Sequence, residues 1–373
     1  MKYSLSHTLL LFLLIFGHIL YAQPGAGFGI ETNAIAGKVL KHSVKFTLPI
    51  PSVSTAYEIN FQWQTHGTKE WQQRVRFPMW GIGLTYTDYG LDAVYGRALG
   101  IYPNLQMPLI KRKNWEWTLR AGFGLGYIST HYSHYPAWDT VNVAMSSNIN
   151  NFSLFMTDLR YHINTHWDAQ IGLNYSHISN GTYHVPNLGV NMYGAHIGLR
   201  YFPVTSRPQK TIRDLKPLSK RWLVQGRFSM GFTQYGPPLG PTYKIYLATL
   251  YVSKRWASKN KVYAGLDYSY HQDIYAFLRN NEIDPGQEAQ NSWKGAVLGG
   301  AEFGVGCFGI IFQAGYYIHE AALRQDPYYE KLGAHIYLIQ REKGALKELF
   351  LSALLKTHLT VAEVAEFGFG MGF

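Results

Sequence analysis

The sequence lacks the features on which several classes of protein depend. Its 373 residues include a single cysteine, Cys307, which excludes an internal disulfide and argues against a cysteine-based metal site. Beyond the N-terminus no uninterrupted apolar run is long enough for a transmembrane helix, so a helical membrane bundle is not expected. The chain also contains no phosphate-binding loop, no HExxH and no paired CxxC motif. Most of the sequence therefore carries no familiar catalytic pattern.

Residues 1–22 have the layout of a secretory signal peptide. Lys2 provides a short positive segment, residues 9–16 are apolar, and Ala22 is a small residue suited to cleavage. A transmembrane anchor is the alternative, but the apolar run is too short to span a bilayer comfortably. The sequence therefore predicts export across the inner membrane and a mature chain that begins near Gln23.

Apolar and polar residues alternate in several segments. Between residues 115 and 127 every second residue is apolar, and polar residues or glycines fill the positions between them. The pattern recurs at 57–63, 222–232 and 262–270. Because side chains alternate between the two faces of a β-strand, each segment predicts a strand with one apolar and one polar face.

Composition and the C-terminus indicate which way the apolar faces point. Aromatic residues make up 16% of the chain, as expected for the lipid-facing band and interfacial girdles of a membrane barrel. Residues 367–373 alternate Phe or Met with Gly and end on Phe373, which resembles the terminal signal that the outer-membrane assembly machinery recognises. Together with the signal peptide, these features predict an all-β chain that forms an antiparallel transmembrane barrel in the outer membrane of a Gram-negative bacterium, with that machinery as a partner.

About 16 strands are predicted, with 14 or 12 as alternatives, in a single barrel domain over residues 23–373. Residues 23–203 and 221–373 are its two parts, and residues 204–220 connect them. The predicted strands are 26–33, 55–65, 78–87, 93–103, 115–127, 148–161, 168–179, 191–203, 221–233, 244–255, 261–271, 293–304, 307–318, 331–340, 347–357 and 362–373. An even count makes 128–147, 272–292 and 319–330 extracellular loops. Residues 66–77 and 203–220 fit poorly, because they are long for periplasmic turns.

The chain is basic, with a formal net charge of +11. Basic charge often points to nucleic acid, but an exported barrel meets no genome, so no nucleic-acid partner is expected. The phosphorylated head of lipopolysaccharide is the anionic partner that such a protein would meet. An ordinary basic surface explains the charge equally well.

Residues 175–191, YSHISNGTYHVPNLGVN, differ from the rest of the chain. His177 and Ser179 are two residues apart and therefore lie on one face of a strand, the same face as apolar Ile171. Asn191 is in phase with the lipid-facing side of the next strand. Polar groups facing hydrocarbon are costly unless they satisfy one another. These residues are expected near the extracellular end of the strand, where the abundant ester groups are those that attach the acyl chains of lipid A. The alternative interpretation is that the three residues form only a polar rim where the strand leaves the membrane.

The run HISNG…PNLGVN, followed by GLRYF, resembles the lipid A 3-O-deacylase family, of the PagL or acyloxyacyl hydrolase-like type. Segments 64–71, 81–86 and 120–127 are similar to the larger members from Bacteroidetes-like bacteria. The resemblance covers roughly residues 26–203 and is weaker in the C-terminal part.

This resemblance implies an outer-membrane serine esterase that removes an ester-linked 3-hydroxyacyl chain from lipid A and needs no metal or other cofactor. Ser179 would be the nucleophile and His177 the general base. Asn180 and Asn187 match the positions that stabilise the oxyanion, with help from the backbone N–H groups near Gly181.

One position departs from the family pattern, because Asn191 stands where the family has the third catalytic residue, a Glu. An Asn carbonyl can accept the N–H of His177, but it supplies no negative charge to stabilise an imidazolium. A loop acid such as Asp139 is a second candidate for this role. Two other hypotheses stay open beside the esterase: a non-catalytic barrel that binds lipopolysaccharide or is structural, and a channel.

Overall fold

The structure is a computed structural model that describes residues 27–42, 46–134, 139, 141–203, 207–234, 238, 240–257, 259–323, 326–358 and 361–373. The predicted signal peptide, residues 1–22, lies outside these residues. Within the described ranges no helix is both long and apolar enough to cross a membrane.

The described residues form sixteen strands, which overlap the sixteen predicted segments in order. The strands are β1 Phe28–Val39, β2 Ser54–Gln64, β3 Met79–Asp88, β4 Arg97–Lys111, β5 Trp115–Ile128, β6 Ile149–His162, β7 Trp167–Ser179, β8 Val190–Tyr201, β9 Trp222–Gln234, β10 Thr242–Ala257, β11 Asn260–His271, β12 Trp293–Val305, β13 Phe308–Glu320, β14 Tyr328–Gln340, β15 Glu348–His358 and β16 Val361–Gly372. Helix α1 is Glu70–Arg74, helix α2 is Gln272–Asn280, and a 3₁₀ turn covers Gln290–Ser292. The all-β, antiparallel prediction and the strand number are confirmed.

The strands close into two barrels rather than one. Strands β1–β8 form barrel 1, in which β1 pairs with β8, and strands β9–β16 form barrel 2, in which β9 pairs with both β10 and β16. The prediction of one barrel over residues 23–373 is therefore wrong. Alternation determines which face of each strand is apolar, whereas closure depends on which edge strands pair, and no local pattern records that choice.

The two connections that were too long for simple turns lie together at one end of the molecule, called here the connector end. Residues 202–221 join the barrels, and the β2–β3 connection contains α1. The Gln73 side chain donates to the Arg213 carbonyl at 2.7 Å, and the Arg74 side chain donates to the Lys216 carbonyl at 2.8 Å. The opposite end, called the loop end, carries connections 89–96 and 180–189 of barrel 1 and 272–292 of barrel 2.

The interior of barrel 1 contains a network of buried ion pairs. Arg120 bridges Glu31 at 2.7 Å and Glu58 at 2.8 Å, and Arg160 reaches the second oxygen of Glu31 at 2.8 Å. All four side chains are fully buried. An eight-stranded barrel is just wide enough for side chains to fill its interior, so this network occupies the space that a channel would need.

Barrel 2 has a similar interior. Lys331 pairs with Asp267 at 2.6 Å and with Glu366 at 3.0 Å, and Lys261 pairs with Glu348 at 2.8 Å. The outward residues of both barrels are exposed and apolar, as Ile197 and Phe367 illustrate. The predicted apolar outer face is therefore present in both barrels. The predicted polar interior is only part of the picture, because inward apolar side chains such as Phe152 and Leu154 in barrel 1 and Ile311 in barrel 2 form buried clusters beside the ion pairs.

Candidate active site

The candidate site lies on the hairpin formed by β7 and β8, at the loop end of barrel 1. His177 and Asn191 are directly opposite each other in this antiparallel pair, and Ser179 is the last residue of β7. Outward residues of the same face include Ile171 and Leu173, whose exposed fractions are 58% and 63%. The hairpin therefore presents its polar residues at the border of an apolar outer surface.

His177, Ser179 and Asn191 form one continuous chain of hydrogen bonds. The distance from His177 Nδ1 to Asn191 Oδ1 is 2.5 Å, and the distance from His177 Nε2 to Ser179 Oγ is 2.8 Å. Because an amide oxygen only accepts, Nδ1 carries the proton and Nε2 is left as an acceptor for the Ser179 hydroxyl. This is the tautomer that a general base needs in order to deprotonate a serine.

Burial distinguishes this arrangement from a hydrated polar rim. The exposed fractions of Ser179 and Asn191 are only 5% and 4%, and His177 is half-buried between them. Polar groups removed from water must find partners, and these three find them in one another. The arrangement can remove a proton from Ser179 Oγ and hold it on an oriented imidazole.

The alternative orienting acid, Asp139, serves a different purpose. Its Oδ1 atom accepts the backbone N–H groups of Val141 and Asn142, each at 2.8 Å. The N–H of the His177 ring is already directed at Asn191. The structure therefore brings Asn191 to the ring, while Asp139 stabilises a turn in the β5–β6 connection.

Residues 180–189, called here the active-site loop, carry the predicted oxyanion residues. The backbone N–H of Asn180 donates to Asn187 Oδ1 at 3.1 Å, so the two predicted residues contact each other. In many hydrolases the N–H of the residue after the nucleophile binds the oxyanion. Here Asn187 already occupies that N–H, so Asn187 must shift before Asn180 can donate to a substrate oxygen.

The active-site loop is also held by the β5–β6 connection. The Asn180 side chain donates to Ser146 Oγ and Ser147 Oγ, each at 3.1 Å, and the Gly189 N–H donates to the Ala144 carbonyl at 2.9 Å. The sequence provided no signal for Ser146 or Ser147, because they lie in an irregular connection that is distant from the loop along the chain.

Gly189 is a further residue of the site that sequence reasoning missed. It has a φ of +71°, and a Cβ at this position would lie 3.0 Å from His177 Cε1 and 3.3 Å from Ser179 Cβ. Glycine is therefore required both by the backbone conformation and by the space that the imidazole takes. Its place within the PNLGVN run was the signal that could have identified it.

The site has no arrangement suited to a metal. Among the described residues, no group of three or more His, Cys, Asp or Glu side chains is positioned to hold a metal ion. The polar groups of the site are the hydroxyl of Ser179, the imidazole of His177 and the amide of Asn191, which suit acyl transfer by proton movement.

Two family models match the chain, one on each barrel. The model described as lipid A 3-O-deacylase (PagL) matches residues 55–200, and the model described as acyloxyacyl hydrolase, C-terminal domain, matches residues 222–373. Together they cover most of the sequence. No curated protein shows significant sequence similarity to this chain.

Several solved structures are similar in part. Neisserial surface protein A is 14% identical, with 48% of this chain and 97% of that chain covered and a TM-score of 0.34. The outer membrane enzyme PagL is 17% identical, with 45% and 97% covered and a TM-score of 0.31. A mutant of the Rh. blastica porin is 12% identical, with 93% and 99% covered and a TM-score of 0.19.

Proposed function

Since this chain belongs to the PagL family of lipid A 3-O-deacylases, and is thus an outer-membrane barrel protein, we propose that it is a serine esterase that removes the ester-linked 3-hydroxyacyl chain from lipid A. The observation that carries this proposal is the continuous hydrogen-bonded chain of Ser179, His177 and Asn191 on the outer face of barrel 1. Family membership supplies the substrate class, and the hairpin supplies the groups that the chemistry needs.

The reaction follows from the positions of the polar atoms. Ser179 Oγ attacks the ester carbonyl while its proton passes to His177 Nε2. His177 then gives the proton to the sugar oxygen as the bond between this oxygen and the acyl carbon breaks, and the acyl group stays on Ser179 as an ester. In the second half of the cycle His177 deprotonates a water molecule that attacks the acyl carbon, the bond to Ser179 Oγ breaks as His177 returns the proton to that oxygen, and the 3-hydroxy fatty acid is released.

The developing negative charge on the carbonyl oxygen needs donors. Asn180 N–H is adjacent in sequence to the nucleophile, and the Asn187 side chain contacts it at 3.1 Å. We assign both residues to the oxyanion site, with the backbone near Gly181. In hydrolases one donor that is fixed before the reaction contributes about 3–4 kcal/mol, whereas here Asn187 must first release the Asn180 N–H.

The position of the site suits a lipid substrate. Its outward neighbours, Ile171 and Leu173, belong to the apolar surface that faces the hydrocarbon of the membrane. An acyl chain of a lipid in the leaflet can therefore lie along this surface while its ester group reaches Ser179. No step requires the substrate to leave the membrane.

A barrel that binds lipopolysaccharide without turnover is the second candidate. It is favoured by Asn191, since this amide orients His177 but adds no charge to stabilise the imidazolium. The channel hypothesis has less support, because buried ion pairs such as Arg120 with Glu31, and Lys331 with Asp267, lie in the two interiors.

Mass spectrometry of lipid A from a Gram-negative host tests the proposal. Expression of the chain should remove the mass of one 3-hydroxyacyl group, and Ser179→Ala and His177→Ala should each abolish that change. Heat-modifiable gel mobility establishes that each variant has folded. An unchanged lipid A profile with folded, surface-displayed protein would instead support the binding or structural barrel, and conductance steps in planar bilayers would support the channel.

A further inference from the structure

The active-site loop of barrel 1 lies on the rim of barrel 2. The backbone N–H of Gln234, the last residue of β9, donates to the Thr182 carbonyl at 3.1 Å. The Gln234 side-chain oxygen accepts the backbone N–H of Val185 at 3.0 Å and lies 3.4 Å from His184 Nδ1. One residue of barrel 2 therefore binds two points of the loop that follows the nucleophile.

A second contact is made by the β15–β16 hairpin. Thr182 Oγ1 donates to the Glu363 carbonyl at 2.7 Å. A Cβ at Gly181 would lie 3.2 Å from Ala365 Cβ and 3.6 Å from Leu355 Cδ1, so the backbone of the loop packs directly on the outward face of this hairpin. Gly181 is only two residues beyond Ser179.

The loop conformation needs such support. Thr182 has a φ of +66°, which is rare for a β-branched residue because its side chain crowds the backbone in the left-handed region. A residue keeps such a strained backbone conformation only where contacts with its surroundings hold it in place. For Thr182, barrel 2 binds both the carbonyl and the hydroxyl, through Gln234 and Glu363.

The two barrels also contact each other at the connector end. At the connector end, a Cβ at Gly306 would lie 3.4 Å from the Trp71 ring, so α1 packs on the β12–β13 turn. Between the ends, outward residues such as Ile197 and Phe367 remain exposed. The contacts at the loop end are made with the active-site loop itself, at Thr182 and Val185.

We propose that barrel 2 is a positioning component of the active site, and that Gln234 is the positioning residue that fixes the active-site loop relative to Ser179. Gln234 binds Thr182 and Val185, which lie between Asn180 and Asn187 along the chain. Holding these two points sets where the proposed oxyanion donors stand relative to Ser179 Oγ. The inference rests on the proposed esterase function and extends the active site to a residue of barrel 2, outside barrel 1.

Three variants of the full-length protein test this role. Gln234→Leu removes the side-chain acceptor of the Val185 N–H, and Gln234→Glu keeps an acceptor at the same place. Gln225→Leu is the matched control, since Gln225 is a buried glutamine of the same strand but bonds to Ser253 and Glu348 in the barrel interior. All three are purified in detergent and checked for heat-modifiable mobility.

The readouts are kcat and KM for deacylation of lipid A in mixed micelles, and hydrogen–deuterium exchange of residues 180–189. Gln234→Leu should lower kcat on the order of ten- to a hundredfold, with KM within about twofold, because misplacement of catalytic groups acts on the chemical step. Exchange in the loop should rise in the same variant. Gln234→Glu should recover most of the activity, and Gln225→Leu should leave both readouts near wild type.

Two results would overturn the inference: equal losses of kcat in Gln234→Leu and Gln225→Leu, or unchanged kcat and loop exchange in Gln234→Leu. If the wild-type protein leaves lipid A intact, the proposed function fails. The exchange measurement then still decides the positioning role, since faster exchange confined to Gln234→Leu supports it and unchanged exchange overturns it.

Discussion

His177 on β7 and Asn191 on β8 are directly opposite cross-strand neighbours, and their side chains meet at 2.5 Å between Nδ1 and Oδ1. Because the amide presents its oxygen to the ring, the imidazole has the tautomer that a general base requires. In a serine protease, replacing the orienting acid by its amide costs about 10⁴ in turnover, largely because the wrong tautomer is favoured. Here the tautomer is right and only the negative charge is missing.

Asn191→Asp should therefore raise kcat, but by far less than the factor of about 10⁴ seen in a serine protease. A carboxylate of the same shape adds charge to stabilise the imidazolium, and we expect a gain on the order of tenfold, equivalent to roughly 1.4 kcal/mol. The family's longer carboxylate, in Asn191→Glu, should act in the same direction, and Asn191→Ala should lower kcat by freeing the ring. Steady-state kinetics on lipid A measures all three. If none of them changes the rate, Asn191 does not orient His177.

Gly189→Ala should lower kcat/KM by tenfold or more, on the order of 1.4 kcal/mol. Its methyl group would lie 3.0 Å from His177 Cε1 and displace the ring from Ser179. The matched control is Gly286→Ala, at a φ of +84° with no heavy atom within 4 Å of the added Cβ. Both variants carry the backbone cost of a left-handed alanine, about 1–2 kcal/mol, so a difference in activity isolates the contact with His177. Equal activities in the two variants would refute this account of Gly189.

Arg120→Met should destabilise barrel 1 by about 3–5 kcal/mol, because it leaves Glu58 buried without a cation and leaves Glu31 with Arg160 alone. The loss is measured by urea unfolding in detergent, followed by tryptophan fluorescence. Arg97→Met is the control, since Arg97 pairs with Asp92 at the exposed loop end and should leave the unfolding midpoint almost unchanged. Equal midpoints for the two variants would mean that the interior network contributes little to stability.

Cys307 tests the orientation of the barrels, since it is an exposed free thiol in the β12–β13 turn at the connector end. If that end is periplasmic, a membrane-impermeant maleimide should not label intact cells and should label permeabilised cells. The control is a Cys307→Ser chain that carries Ala289→Cys in the β11–β12 connection at the loop end; this protein should be labelled in intact cells. The reverse pattern would invert the assigned topology.

The strands were predictable because the signal for a strand is local. Alternation between residues 115 and 127 determines both the existence of β5 and the face that points outward, since side chains of a strand project to opposite sides. The same argument places His177 and Ser179 on one face and Asn191 in phase with them, from spacing alone. The structure adds that these three side chains contact one another, at 2.5 and 2.8 Å.

The number of barrels and the environment of the active-site loop required the tertiary structure. Strands β8 and β9 are neighbours in sequence, yet they close onto β1 and β16, because pairing of edge strands depends on backbone groups that every residue carries alike. The contact of Gln234 with Thr182 and Val185 exists only once both barrels have closed and stand side by side. The sequence by itself therefore determined the strands, their two faces and the polar groups of the hairpin. Tertiary structure decided how the strands close and what holds the active-site loop, because both depend on contacts between residues distant along the chain.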